Sequence, residues 1–561
     1  MTIPMTGARP VMTERSSFRS IDWPLVTTGV GLAIATIVRG WLVASRDFPL
    51  NDGALFYLMT EELGTNAFHL PTITAYNAAH IPFAYSPLGF YIASALHLGF
   101  GIGLVDLFRF LPFFFGTLCV VAFFLLARDL VPSRPTVAAA VCTFAVLPRS
   151  FLWLIMGGGL TRSLGFLFAI LALWQLHRAF TRQAWRNVAG ATLFSSLTVL
   201  SHLGTAPFVA FSAALFLVFF GRHRFGIIAS IVIALGTALL TAPWWATIAS
   251  VHGFAPFMAA RATGGTVFNT HTRGEAFTKL AFFGLGTAEP LFPIIGALAI
   301  LGAFASLTRR GAFLSLWWLA TILLDTRAGA TYASIPVALL AAIALTEVII
   351  PIVARPPSWI GSTPEADRAS AWDSVAVAPR HRQWAVAVVL AVLLGYGIAS
   401  SLVRRANLNA EGRFLTSLTP ADLDAMNWVA RETPQGSRFA IVVGGAAGGW
   451  WADRVAEWFP VLGRRVSVAT VQGTEWLPAG TFETLERQYN QLQGCAVWEP
   501  TCVERWSFDH GVEYTHIYIP KTLAFPCCAP LDAALREDVR YELVFDGPGA
   551  SIYQRRPLML E

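Results

Sequence analysis

From residue 24 to residue 403 the chain is a string of apolar runs broken by short arginine-bearing loops. No other feature restricts its fold as tightly. About 20 consecutive apolar residues cross the roughly 30 Å hydrocarbon core of a bilayer, and inside that core backbone groups must pair within their own segment, so such runs are helices. The runs lie near 24–45, 109–128, 134–154, 163–179, 188–202, 204–220, 226–248, 290–307, 312–324, 333–350 and 384–403. Charged residues are 13% of the chain and hydrophobic ones 55%, whereas a soluble domain carries about 25% charged residues. Residues 404–561 return to ordinary soluble composition. The expected architecture is therefore an all-α polytopic membrane domain of about eleven transmembrane helices over 24–403, preceded by a short segment, 1–23. A C-terminal α/β domain follows over 404–561.

Arginine placement predicts the topology. Arg128/Arg134, Arg178/Arg182/Arg186, Arg222/Arg224, Arg309/Arg310 and Arg355/Arg368/Arg380/Arg382 occupy alternate loops, the cytoplasmic ones under the positive-inside bias. They share a side with Arg9, Arg15 and Arg19 only if a further apolar stretch, 87–103, does not complete a crossing. That stretch is accordingly expected to be a re-entrant or interfacial helix within a long first external loop, 46–108. The N-terminal run is too long for a signal-peptide core and reads as an uncleaved anchor with a cytoplasmic N-terminus. An odd number of crossings leaves the C-terminal domain extracytoplasmic, in a multi-pass protein of the cell membrane. The net charge of +6 is no nucleic-acid signal, because the arginines are spread through loops and not gathered on one face.

Cysteine usage gives an independent indication. Cys119 and Cys142 fall inside apolar runs, while Cys495, Cys502, Cys527 and Cys528 all lie in the C-terminal domain, as disulfides in an oxidising compartment would. The rival zinc reading lacks a paired CxxC. In the same domain Thr419-Pro420 begins a helix through about Arg431, and 438–445 and 514–520 read as strands. Residues 541–556 read as a hairpin turning at Asp546-Gly547-Pro548-Gly549. The GGAAGG stretch at 444–449 has neither a P-loop lysine nor GxGxxG spacing, and reads as a tight turn.

The candidate chemistry is on the external side. Asp52 lies a few residues beyond the first run, where a carboxylate reaches both an aqueous acceptor and a lipid-borne donor; a solvated loop residue or a helix cap is the plainer alternative. Glu61 and Glu62 follow on the next amphipathic stretch. Tyr76, His80, Tyr85 and Tyr91 form an aromatic-rich segment that an interfacial belt also explains. Arg162, after a glycine turn, and Arg327, in DTRAG, stand on the outer side against the positive-inside bias. Each calls for an anionic partner, either a lipid phosphate or a structural carboxylate such as Asp325. His202 lies at another external corner.

Taken together, the carboxylate after the first crossing, the Pro-Leu-Gly-Phe-Tyr segment, the helix LPFFFGTLCVVAFFLLARDL and AVLPRSFLWLIMGGGLTR resemble the GT-C superfamily of membrane glycosyltransferases. The parallel is with oligosaccharyltransferase catalytic subunits, protein O-mannosyltransferases and lipid A aminoarabinose transferases. It covers residues 20 to 205 by motif and the rest by architecture. The resemblance implies sugar transfer from a polyprenyl-phosphate carrier to a glycan, lipid or protein acceptor, with Asp52 as the first-loop carboxylate. GGGLTR stands where oligosaccharyltransferases carry an acidic metal-binding motif, so no metal or other cofactor is expected. WWAD at 450–453 is offset from their WWD signature, and sequon binding is not carried over. The expected roles are Asp52 as general base, Arg162 and Arg327 as phosphate ligands, and His80, Tyr85, His202, Glu61 and Glu62 as candidates for positioning substrate. A non-catalytic scaffold of envelope glycan assembly and a transporter are the rival classes; neither duplicated halves nor mid-membrane helix breaks favour the latter.

Overall fold

The computed structural model describes residues 23–46, 50–131, 133–262, 286–309, 311–324, 328–354, 380–412, 415, 417–445, 449–523 and 527–556. The apolar runs are helices. In chain order these are α1 (Trp23–Ala44), α2 (Ala54–Thr65), α3 (Leu88–Phe100), α4 (Leu104–Leu130), α5 (Arg134–Val146), α6 (Gly159–Arg182), α7 (Trp185–Ser201), α8 (Ala206–Phe220), α9 (Arg224–His252), α10 (Ala255–Ala262), α11 (Ile294–Arg309), α12 (Phe313–Leu324), α13 (Gly329–Ala344, continuing to Ala354) and α14 (Arg380–Gly412). Among the described residues six are long and apolar enough to cross a membrane: α4, α6, α8 with its leading turn, α9, α13 with its continuation, and Arg380–Arg404. The α3 helix has 13 residues. At 1.5 Å per residue it is about 20 Å long, no shorter than α5 (13 residues) or α12 (12 residues), so length does not separate it from them.

Two local features shape α1 and the end of α5. The run 134–154 does not stay helical throughout, because Pro148 drives Leu147 into extended backbone (φ −66°, ψ 118°). The chain then passes through a 3-10 turn, Pro148–Ser150, and irregular backbone to the glycines that open α6. Within α1, the buried Arg39 donates to the carbonyls of Gly116 and Ala145 (the latter at 3.3 Å) and to Ser150 Oγ at 3.3 Å. A charged side chain inside an apolar helix is costly unless it is paired in this way. The pairing ties α1 to α4, to α5 and to the turn that follows α5.

Between α1 and α4, α2 packs on α3, and Ile73–Thr74 (β1) pairs antiparallel with Ile81–Pro82 (β2). The C-terminal domain carries the mixed sheet β4-β3-β5-β7-β6, built from Arg438–Ile441 (β3), Val466–Ser467 (β4), His516–Pro520 (β5), Tyr541–Asp546 (β6) and Ala550–Arg555 (β7). The β4, β3 and β5 strands run parallel; β5, β7 and β6 alternate. Both expected strands and the hairpin are present, and α15 (Pro420–Glu432) begins with the Thr419/Asp422 capping box. Four further helices complete the domain: α16 (Arg454–Leu462), α17 (Thr481–Gly494), α18 (Pro500–His510) and α19 (Ala529–Glu537). Cys495 is bonded to Cys502, and Cys527 to its neighbour Cys528. Of the glycine stretch, Gly444 and Gly445 are left-handed (φ 71° and 73°), and 446–448 lie outside the described residues.

The two regions share one apolar seam. Trp458 of α16 meets Tyr57 of α2, with centroids 6.1 Å apart. Trp476 meets both Tyr85 (4.7 Å) and Phe257 of α10 (6.2 Å).

Candidate active site

Asp52 follows α1 in a turn that threads against the glycines before α6. Gly157 N–H donates to Leu50 O (2.7 Å) and Gly158 N–H to Asp52 O (3.1 Å), so two short strips of backbone lie side by side. Only glycines permit this approach: a Cβ on Gly157 would sit inside the contact radius of Asp52's carbonyl oxygen. Gly53 has φ 115°, and a Cβ there would lie 2.7 Å from Gly158 N. The GGG turn is thus the surface on which the Asp52 loop is moulded.

From this turn rises Arg162, in the first turn of α6. Its Nη1 meets Asp52 Oδ2 at 2.8 Å and its Nη2 meets Oδ1 at 3.0 Å, a bidentate pair, while Gly158 N–H adds a bond to Oδ1 at 3.1 Å. The guanidinium lies 4.3 Å over the Trp153 ring. Burial pushes the Asp52 carboxyl up, but Arg162's charge and hydrogen bonds, with Arg454's charge and the Gly158 N–H, outweigh it and hold the group below the usual carboxylate range. The carboxylate is therefore ionised at neutral pH. Its side chain keeps 20% of its surface and Arg162's 12%, so the pair is partly open to solvent.

A third layer comes from the C-terminal domain. Glu457 Oε1 accepts Gly53 N–H at 2.8 Å and its Oε2 pairs with Arg454, while Tyr76 OH donates to Glu457 O at 2.6 Å. Trp458 Nε1 donates to Asn51 O at 2.8 Å. Burial raises the Glu457 carboxyl, with Asp52's charge adding to it and Arg454 opposing. Asp453 caps α16 by accepting Ala456 N–H (2.9 Å) and receives Tyr489 OH (3.0 Å); burial pushes it up to about 6. The sequence reading takes AEWFPVLGRR (456–465), which holds Glu457 and Trp458, only as a structural or acceptor-facing element, and it gives Arg454 no role. The available signal was an acid–base pair at i, i+3 beside an aromatic on a strongly one-sided helix.

The other expected residues scatter. Arg327 and Asp325 lie outside the described residues. His80 is exposed, with left-handed backbone (φ 51°), and shares with Glu62 the rim of an open groove of about 700 Å³. Glu62 accepts Ala75 N–H at 2.7 Å and braces the loop, and Glu61 is exposed. Tyr85 OH donates to Glu475 of the C-terminal domain. His202 ends α7 and bonds Thr205 Oγ1 at 2.8 Å, in a chain that continues to Tyr332 OH. Among the described candidates, Asp52 and Arg162 meet directly.

A divalent cation beside Asp52 does not fit this donor set, since both oxygens face a guanidinium. Among the described residues no three His, Cys, Asp or Glu side chains converge.

The fold is similar to that of solved structures of an oligosaccharyltransferase, an arabinofuranosyltransferase and ArnT. Three solved structures show the likeness. The Archaeoglobus fulgidus oligosaccharyltransferase, tethered with an acceptor peptide containing the NVT sequon via a disulfide bond, is 15% identical, with 89% of this chain and 69% of that one covered and a TM-score of 0.54. ArnT from Cupriavidus metallidurans in the apo state is 14% identical over 95% and 97%, at 0.53. The arabinofuranosyltransferase AftD from Mycobacteria is 16% identical over 95% of this chain, at 0.57; the chain spans 40% of AftD's length. No protein-family model and no curated protein matches the sequence. At these identities the likeness is one of fold, and the chemistry rests on the site itself.

Proposed function

We propose that the protein is a membrane glycosyltransferase that moves a sugar from a polyprenyl-phosphate-linked donor to an acceptor hydroxyl, with inversion, on the extracytoplasmic side. One observation carries the reading: a partly accessible carboxylate, in the loop that follows α1, clamped by a bidentate arginine. The acceptor oxygen attacks the anomeric carbon, the bond from that carbon to the phosphate oxygen breaks, and polyprenyl phosphate leaves with the bonding electrons. Asp52 takes the acceptor's proton. A carboxylate held low is a weak base, but a donor phosphate arriving at Arg162 would share that guanidinium's charge and raise Asp52's proton affinity. Arg327 is the second phosphate ligand in this scheme. Residue roles apart, the scheme places the N-terminus in the cytoplasm and the C-terminal domain outside. It has roughly eleven crossings, which add α7 and the shorter α1, α5, α11 and α12 to the six long helices.

The experiment is transfer by the purified protein from a panel of polyprenyl-phosphate-linked hexoses and pentoses to sugar and peptide acceptors. Release of polyprenyl phosphate with a new glycosidic bond of inverted configuration supports the proposal. No turnover of any donor, by a protein that stays folded in the assay, would count against it.

A further inference from the structure

The Asp52 loop is gripped from both sides, and the second grip belongs to the C-terminal domain. Two consecutive residues of α16 hold the two peptides that bracket Asp52. Trp458 Nε1–H donates to Asn51 O at 2.8 Å, and Glu457 Oε1 accepts Gly53 N–H at 2.8 Å. Glu457 is itself held, by Arg454 through its other oxygen and by Tyr76 OH at its own carbonyl. Asp453 caps the same helix, and Tyr489 bonds that cap. Everything in this chain of contacts is buried or half-buried, and Gly53 has a left-handed backbone that Glu457's hydrogen bond helps to retain.

We infer that Glu457 and Trp458 are positioning residues for Asp52, so that the C-terminal domain forms part of the transferase's catalytic apparatus. The inference rests on the reading of Asp52 as the base. The membrane domain alone fixes one edge of the loop, through Gly157 and Gly158. The carboxylate direction, however, depends on the φ/ψ of Asn51, Asp52 and Gly53 together, and α16 sets the outer two peptides. Both grips act on backbone groups, so they orient the base without touching the reacting atoms. A displacement of about 1 Å at a catalytic group costs on the order of 10²-fold in rate.

The test uses the full-length protein in detergent and two readouts on Glu457→Ala, Glu457→Gln and Trp458→Phe. The first needs no substrate: carbodiimide-driven coupling of glycine ethyl ester to Asp52, followed by peptide mass spectrometry, with the buried Asp422 of α15 as the internal control. Glu457→Ala and Trp458→Phe are expected to label Asp52 several-fold faster with Asp422 unchanged, while Glu457→Gln, which keeps an oxygen for Gly53 N–H, stays closer to wild type. Unchanged Asp52 labelling in Glu457→Ala and Trp458→Phe overturns the inference, and so does parallel acceleration at Asp422, which reports general loosening of the domain. The second readout is turnover of whichever lipid-linked sugar the wild type uses. Glu457→Ala should lower kcat by roughly tenfold to a hundredfold with little change in donor KM. In an Asp52→Asn background the same change should add almost nothing, because the two act through one group. Additive losses overturn the positioning role. Normal turnover in Asp52→Asn alone instead overturns the base assignment, and Asp52 labelling still reports on the grip.

Discussion

Replacing Asp52 with asparagine changes one atom's chemistry and almost none of the shape. The amide oxygen can keep Gly158 N–H (3.1 Å in the carboxylate) and one arginine N–H (3.0 Å), while the amide nitrogen faces Arg162 Nη1, donor against donor. Two losses follow. The acceptor's proton has no carboxylate to receive it, which slows general-base chemistry by about 10²- to 10⁴-fold, or about 2.7–5.4 kcal/mol in barrier. Arg162 is also left with an unmatched charge in a largely enclosed place, at about 1–3 kcal/mol of stability. The rate loss exceeds the stability loss and appears in kcat. Donor affinity should hold or improve, since Arg162's charge is released to the phosphate. The assay is single-turnover transfer with enzyme in excess, alongside equilibrium binding of the same lipid-linked sugar. Near-wild-type turnover would refute the base assignment, and if Glu61→Gln or Glu62→Gln were inactive instead, the base would lie on α2.

Three further outcomes are expected. Gly157→Ala places a methyl against Asp52's carbonyl and should abolish most transfer while the protein still purifies as a folded species; full activity would show that the loop is not moulded on this turn. Asp453 is pushed up to about 6 from an unfolded value of about 3.9, so the folded state holds its proton longer and stability falls as pH rises between those values, by about 3 kcal/mol. Thermal unfolding across pH 4 to 7 should show this fall in wild type and a flatter profile in Asp453→Asn, whose oxygen still caps α16; identical profiles would refute the assignment. Transfer should survive EDTA, because Arg162 stands where a cation beside Asp52 would bind; loss restored by manganese or magnesium would show that a metal displaces the arginine.

Some of this was legible in the sequence, for local reasons. Apolar runs of membrane-spanning length specify helices wherever they fall, since backbone groups in an apolar medium must pair within the segment. The C-terminal strands, the Thr419 cap and the hairpin at 546–549 are likewise encoded by neighbours in the chain, and so is Asp52's place at a helix end. The pairing of Asp52 with Arg162 was not legible, because 110 residues separate them and two glycine-permitted turns must first close on each other. Sequence reasoning leaves Arg162 a choice between a lipid phosphate and a structural carboxylate; the structure sets both of its terminal nitrogens on Asp52. Glu457 is more distant still, 404 residues from Gly53. Its partner is a backbone N–H, which every residue but proline carries and no side-chain pattern marks. The sequence by itself determined that the apolar runs are largely helical and that a carboxylate, Asp52, follows the first of them. Only the tertiary structure decided what holds that carboxylate, because charge pairing and backbone hydrogen bonds depend on distances that chain order does not contain.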